Sequence, residues 1–202
     1  MVLIMYKYHL NDVEWGEFKV GGNKGVFKVS NSKPYHKANL TISSKGIPYV
    51  TRTSMNNGLE DLIVDANYEK NPKNTISLGA ENADFFFQGV DYVSGNKMYC
   101  ISNNKITREV GLFLVQVFRQ SIKGYGKGLT GTRFKNRYVM IPIDEKNNPN
   151  WHFMEEYIKE REDKQRNNLR EYCKNRLLDM VICPEVLKDV EWGEFFVSDI
   201  FD

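Results

Sequence analysis

The sequence predicts an α+β fold: a mixed α/β globule followed by a long, coiled-coil-like C-terminal helical arm. Three observations predict it. Between about residues 13 and 143, apolar runs of strand length alternate with turns rich in Gly, Asn, Ser and Pro. From 151 to about 181, apolar residues recur at three- and four-residue spacing, the period of a helix with one apolar face. Finally, Asp12-Val-Glu-Trp-Gly-Glu-Phe-Lys-Val20 returns as Asp189-Val-Glu-Trp-Gly-Glu-Phe-Phe-Val197, with eight of nine positions identical at an offset of 177 residues. An offset of domain length marks a unit made to be used twice.

Taken in order, residues 46–53 (Gly-Ile-Pro-Tyr-Val-Thr-Arg-Thr) read as a buried strand that ends in polar residues. Met55-Asn-Asn-Gly58 reads as a turn, because Asn and Gly tolerate positive φ. Residues 74–79 and 83–89 read as neighbouring strands, and 97–101 and 138–143 as two more. Residues 109–119 are apolar and about a helix long, with both helix and strand character. Residues 123–133 hold four glycines and are expected to be a loop. At 146–151 the chain is punctuated, with Asn150 placed to cap a helix. The helix that follows has an almost wholly charged or amide centre over 160–168, which fits an exposed middle or a break into two helices. Thirty helical residues reach about 45 Å, longer than a small domain. Such a helix packs on another as a coiled coil, or lies on its own domain.

At 202 residues the chain has room for one good core and an appendage. The expected division is a globule over 1–148, a helical spacer or dimerisation arm over 149–188, and the start of a second repeat unit over 189–202. On that reading the chain is half of a tandem protein, or a half-length version that pairs with itself. No run approaches the roughly 20 apolar residues of a membrane span, and no export signal is recognisable, so the cytoplasm is expected. Cys100, Cys173 and Cys183 fit neither a disulfide framework nor a zinc site. The net charge of +2 hides an asymmetry. Residues 13–150 carry 19 Lys and Arg against 12 Asp and Glu, residues 151–188 carry eight of each, and the last fourteen carry five acids and no base. The basic excess lies in the globular part and suits a phosphate-rich partner.

No catalytic constellation stands out, so no enzyme and no cofactor is expected. The histidines, His9, His36 and His152, form no metal-binding pattern. Gly124-Tyr-Gly-Lys-Gly128 lacks the Gly-Lys-Ser/Thr ending of a phosphate loop. No Asn/Asp-Pro-Pro-aromatic segment is present to hold a flipped base, as an amino-methyltransferase needs. Three polar segments at strand ends have the chemistry to bind a DNA duplex. The first, 51–58, offers Arg52, Thr53, Ser54, Asn56 and Asn57. Arg suits guanine O6 and N7, and Asn suits adenine N6 and N7. The second offers Gln88 and the turn holding Asn96 and Lys97. The third is the glycine-rich loop and its continuation, with Lys127, Arg133, Lys135 and Arg137 as a backbone clamp and Tyr125 interleaved.

The order of these segments resembles the target-recognition domain of type I restriction-modification specificity subunits, and is similar to the specificity parts of type IIB and IIG systems. The resemblance spans roughly 12–200. It is carried by Val13-Glu-Trp-Gly-Glu-Phe18, by 46–58, by Thr75-Ile-Ser-Leu-Gly79 and by Phe85-Phe-Phe-Gln88. The Tyr125-Gly basic loop, Ile141-Pro-Ile-Asp144 and 149–158 continue it into the long helix. The resemblance implies a non-catalytic subunit whose domains each read half of a split double-stranded target in the major groove. It implies helices that pair antiparallel and dock methyltransferase subunits, which bring S-adenosylmethionine and flip the target adenine. A homodimer, or a second recognition domain through the helical arm, would complete such a subunit. Two rival readings stay open from sequence: a small metal-dependent nuclease, and a protein-interaction module without DNA affinity.

Overall fold

The computed structural model describes residues 7–123 and 128–182, with side chains described as far as 176. Among the described residues the order is β1 (Trp15–Lys19), β2 (Lys28–Asn31), β3 (Ile42–Val50), β4 (Leu59–Ile63), β5 (Thr75–Gly79), β6 (Asp84–Gln88), β7 (Val93–Ser94), β8 (Met98–Ser102), α1 (Arg108–Ser121), α2 (Gly131–Lys135), β9 (Tyr138–Pro142) and α3 (Trp151–Ile182). The mixed architecture is the expected α+β class. The chain divides into two units, Met1–Glu160 and Arg161–Asp202, and α3 crosses the division.

The larger sheet is antiparallel in the order β2-β8-β5-β6. Its central strand β5 is buried along its whole length. One face of this sheet is closed by α1. Residues 109–119, ambiguous in sequence, settle as helix because Val110, Leu114 and Phe118 recur every fourth residue on a buried face. Thr107 caps the helix, its Oγ1 accepting from the Val110 N–H at 3.3 Å. Four phenylalanines interlock behind the sheet. Phe118 lies 5.3 Å from Phe27, 5.5 Å from Phe85 and 5.1 Å from Phe134, edge-on or tilted.

The expected loop at 123–133 is corrected at its end. Residues 131–135 form the short helix α2. Thr130 caps it, Phe134 anchors it in the core, and Gly131 lets it approach the sheet. A Cβ on Gly131 would stand 2.2 Å from the Tyr99 ring. Glycine content signalled a loop, whereas here glycine serves a close approach. Residues 124–127 lie outside the described residues, so the centre of that segment has no structural account.

The smaller sheet pairs β3 antiparallel with β4 and parallel with β7. Its core is slight: Ile47, Tyr49, Ile63 and Val93. Its register shifts twice, between Ile42 and Ile47 and between Tyr49 and Val50. Gly46 sits inside the first irregularity at φ +154, where a Cβ would stand only 2.0 Å from the Ile63 carbonyl oxygen.

The segment that carries the repeat is β1, paired antiparallel with β9 so that Trp15 opposes Pro142 and Lys19 opposes Tyr138. Its second copy, 189–197, lies outside the described residues. Asn150 caps α3 as read from sequence, its Oδ1 accepting from the Phe153 N–H at 2.9 Å. The first turns of α3 bury Phe153 and Met154 in the main core. The polar stretch 160–168 continues as helix rather than breaking. No helix among the described residues is long and apolar enough to cross a membrane.

Candidate functional site

Beyond β3 the chain turns sharply. Asn56, Asn57 and Gly58 adopt φ of 49, 57 and 79, the left-handed region that Asn and Gly enter at least cost. The Gly58 N–H donates to the Met55 carbonyl at 2.9 Å and the Thr51 N–H to the Gly58 carbonyl at 2.9 Å, closing the turn. Asn57 Nδ2 donates to the Phe87 carbonyl at 2.8 Å. Gln88 Nε2 donates to the Asn57 carbonyl and to Ser77 Oγ, each at 3.1 Å.

A second set of bonds comes from the tip of the β5–β6 hairpin. Glu81 forms an ion pair with Arg52 Nη1, and Ser54 Oγ donates to Asp84. Asn82 Nδ2 donates to the Arg52 carbonyl at 3.3 Å and to Ser54 Oγ at 3.2 Å. The polar segment is therefore held along its length by the neighbouring hairpin. Thr53 is tied locally, its Oγ1 accepting from the Met55 N–H at 3.3 Å.

An open polar cavity of about 380 Å³ joins the first and second segments, with Arg52, Thr53 and Asn96 in its wall. Lys97 follows in the same turn, exposed at φ 57. The third segment meets this edge through Glu81, whose carbonyl accepts from the Gly128 N–H at 3.2 Å. Arg133 Nη1 reaches the Gly128 carbonyl at 3.4 Å. Lys135 is exposed on α2 and lines a separate cavity of about 490 Å³ with Gly22, Asn23, Lys28 and Asn103.

Two of the residues expected to contact DNA hydrogen-bond within the protein, Gln88 from a buried position and Arg137 from a half-buried one. Gln88 is buried and its amide braces the Asn57 turn. Arg137 is half-buried and its Nη2 donates to the Ser121 carbonyl at 2.7 Å, fastening the end of α1. Tyr125 and Lys127 lie outside the described residues. Sequence reasoning missed Tyr35, His36, Lys37, Glu60 and Glu81, which complete the cavity wall. Lys37 Nζ lies 2.5 Å from Asp61 and 3.1 Å from Glu60. Its hydrogen bonds to Asp61, then Glu60, hold the ammonium above the usual lysine range. The polar run after Pro34 was the only hint of this wall, since its partners come from a strand more than twenty residues on. Among the described residues no group of three or more His, Cys, Asp or Glu is placed to hold a metal.

Residues 13–171 match the family model described as the type I restriction modification DNA specificity domain. The chain belongs to this family. It is 27% identical over 165 residues to the specificity subunit S.BcgI of a type II restriction enzyme from Heyndrickxia coagulans, covering 79% of this chain and 47% of that subunit. The chain thus spans about half the length of this curated relative. Among solved structures it is similar to the S subunit of a type I restriction-modification system from M. genitalium. That match has a TM-score of 0.52 and 15% identity, and covers 92% of this chain and 48% of the other. It is also similar to the HsdS subunit from Thermoanaerobacter tengcongensis, with a TM-score of 0.52 and 10% identity over 74% of this chain and 38% of that one. At such identities these likenesses bear on the fold alone.

Proposed function

We infer that this specificity domain recognises a short DNA sequence and itself carries no catalysis. The observation that supports this most is the gathering of three polar segments of a specificity domain, the first and second in the wall of one open cavity and the first and third on Glu81. Arg52, Thr53, Asn56, Asn57 and Asn96 are the proposed base-reading residues, by hydrogen bonds to base edges in the major groove. Lys97, Arg133 and Lys135, together with Tyr125 and Lys127, hold phosphates. Gln88 braces that surface from within, while Arg137 fastens the end of α1. Residues 1–148 form the recognition unit, 149–188 a helical spacer, and 189–202 the opening of a second unit. The spacer docks a methyltransferase subunit and pairs with a second copy or a second recognition domain.

The test is selection from a randomised duplex library at two salt concentrations, with and without the methyltransferase subunit. An enriched short motif is expected, with affinity falling steeply as salt rises. Lys135→Ala should weaken binding to all sequences alike and reduce the salt slope by about 1. Absence of any enriched motif in every arm would overturn the reading. Magnesium-dependent cleavage by the chain alone would replace it with the nuclease.

A further inference from the structure

Arg52 is gripped at three levels. Its carbonyl accepts from Asn82 Nδ2 at 3.3 Å. Its stem lies over Gly79, where a Cβ would stand 3.3 Å from Arg52 Cα and 3.6 Å from its Cβ and Cγ. Its guanidinium is ion-paired to Glu81 through Nη1. The backbone of Glu81 is held in turn, its carbonyl accepting from the Gly128 N–H at 3.2 Å. Yet the pair is not sealed away: the two side chains are 32% and 56% exposed, in the wall of the open cavity.

An acid at this place works against phosphate binding, so affinity does not explain it. Orientation does. Arg carries five N–H donors in a rigid planar fork, and Glu81 engages one terminal nitrogen. The fork is thereby aimed before any partner arrives, and less rotamer entropy is lost on contact. A planar pair of donors matches the O6 and N7 acceptors of guanine in the major groove.

We propose that Arg52 reads a guanine at one position of the target and that Glu81 is the positioning residue that presents it. This rests on the reading of the domain as a DNA-recognition unit. The experiment is the same library selection, alone and with the methyltransferase subunit, on the wild-type full chain and on Arg52→Ala, Glu81→Ala and Glu81→Gln. Circular dichroism checks that each variant is folded.

The wild-type motif should contain a position dominated by guanine. Arg52→Ala should flatten that position by roughly 5- to 150-fold and leave the others as they were. Glu81→Ala should weaken the same position by about threefold or more, as expected for neighbours that act as one unit. Glu81→Gln keeps an oxygen that accepts from Nη1 and should recover part of the preference. Three results overturn the proposal while leaving DNA recognition standing: a motif unchanged by either Ala variant, a uniform loss in Arg52→Ala as for a phosphate contact, or a uniform gain in Glu81→Ala as for simple removal of negative charge. If the wild type enriches nothing, the recognition reading fails and this proposal falls with it.

Discussion

The two main sheets of the globule are held by different forces. The larger, β2-β8-β5-β6, is dry: β5 is buried along its length and backs onto interlocked phenylalanines. The smaller, β4-β3-β7, has only five buried apolar residues on its strands, two register shifts and a polar cavity at its end. Apolar contact is non-directional and tolerates few openings, whereas polar segments keep their groups available to a partner. The contrast assigns stability to the first sheet and presentation to the second. The bonds of Asn57 and Gln88 join the two, so the presenting segment takes its rigidity from the stable sheet.

The largest expected effect tests the stable side. Phe118→Ala removes the ring common to three aromatic contacts and should cost about 3–5 kcal/mol in a denaturant titration. Protection of β5 amides against hydrogen exchange should fall with it, because core strands open only with the whole domain. A smaller loss, about 1–3 kcal/mol, is expected for Gly46→Ala, which drives a Cβ into the Ile63 carbonyl at a strained φ. That loss should appear in the exchange of β3 and β4 amides more than in β5. Equal effects on both sheets would mean that they open as one unit and that the contrast is only of composition.

A subtler separation comes from alkaline pH. Burial raises the Cys100 thiol on β8 of the larger sheet and, more strongly, the Tyr92 phenol, which clusters with Val50 of β3 and Met98 of β8. A group raised in the folded state contributes stability below its unfolded value, and that contribution is lost as pH rises. For Cys100 the loss begins near its ordinary value of 9.0. Lys37, at the smaller sheet, is raised by Asp61 and Glu60 from an ordinary value of 10.5, so its pairing is lost only at higher pH. Melting temperature should therefore begin to decline through Cys100 of the larger sheet. Cys100→Ala should flatten the early part of that decline and leave the later part. An unchanged slope would remove Cys100 from the account.

Much of this contrast was legible in the residues. The β5–β6 pair, β8, β9, the Asn-Asn-Gly turn and the Asn150 cap follow from local chemistry, because each is set by neighbours in sequence. The ambiguity of 109–119 needed the sheet to resolve it, since Val110, Leu114 and Phe118 are helical only with a face to bury. The cap and the buried Phe134 of α2 were hidden behind glycines that suggested a loop. At the candidate site the residue types were visible but their partners were not. Arg52 meets Glu81 across 29 residues, and Gln88 turned inward because Asn57 and Ser77 lie 31 and 11 residues away. Such pairings depend on topology, which polar composition alone does not encode.

The turn at 55–58 has a consequence for the chemical lifetime of the protein. An Asn followed by Gly is the peptide link most prone to deamidation, because the glycine nitrogen attacks the asparagine side-chain carbonyl with little hindrance. Here that nitrogen is the Gly58 N–H, bound to the Met55 carbonyl, and the Asn57 amide is bound to the Phe87 carbonyl. The attacking atom and the group it would attack are each held in place by a hydrogen bond. That attack expels ammonia and leaves a succinimide, which water opens to isoaspartate or Asp; it proceeds only while the turn is open, so the slow appearance of these products at position 57 serves as a clock for that opening.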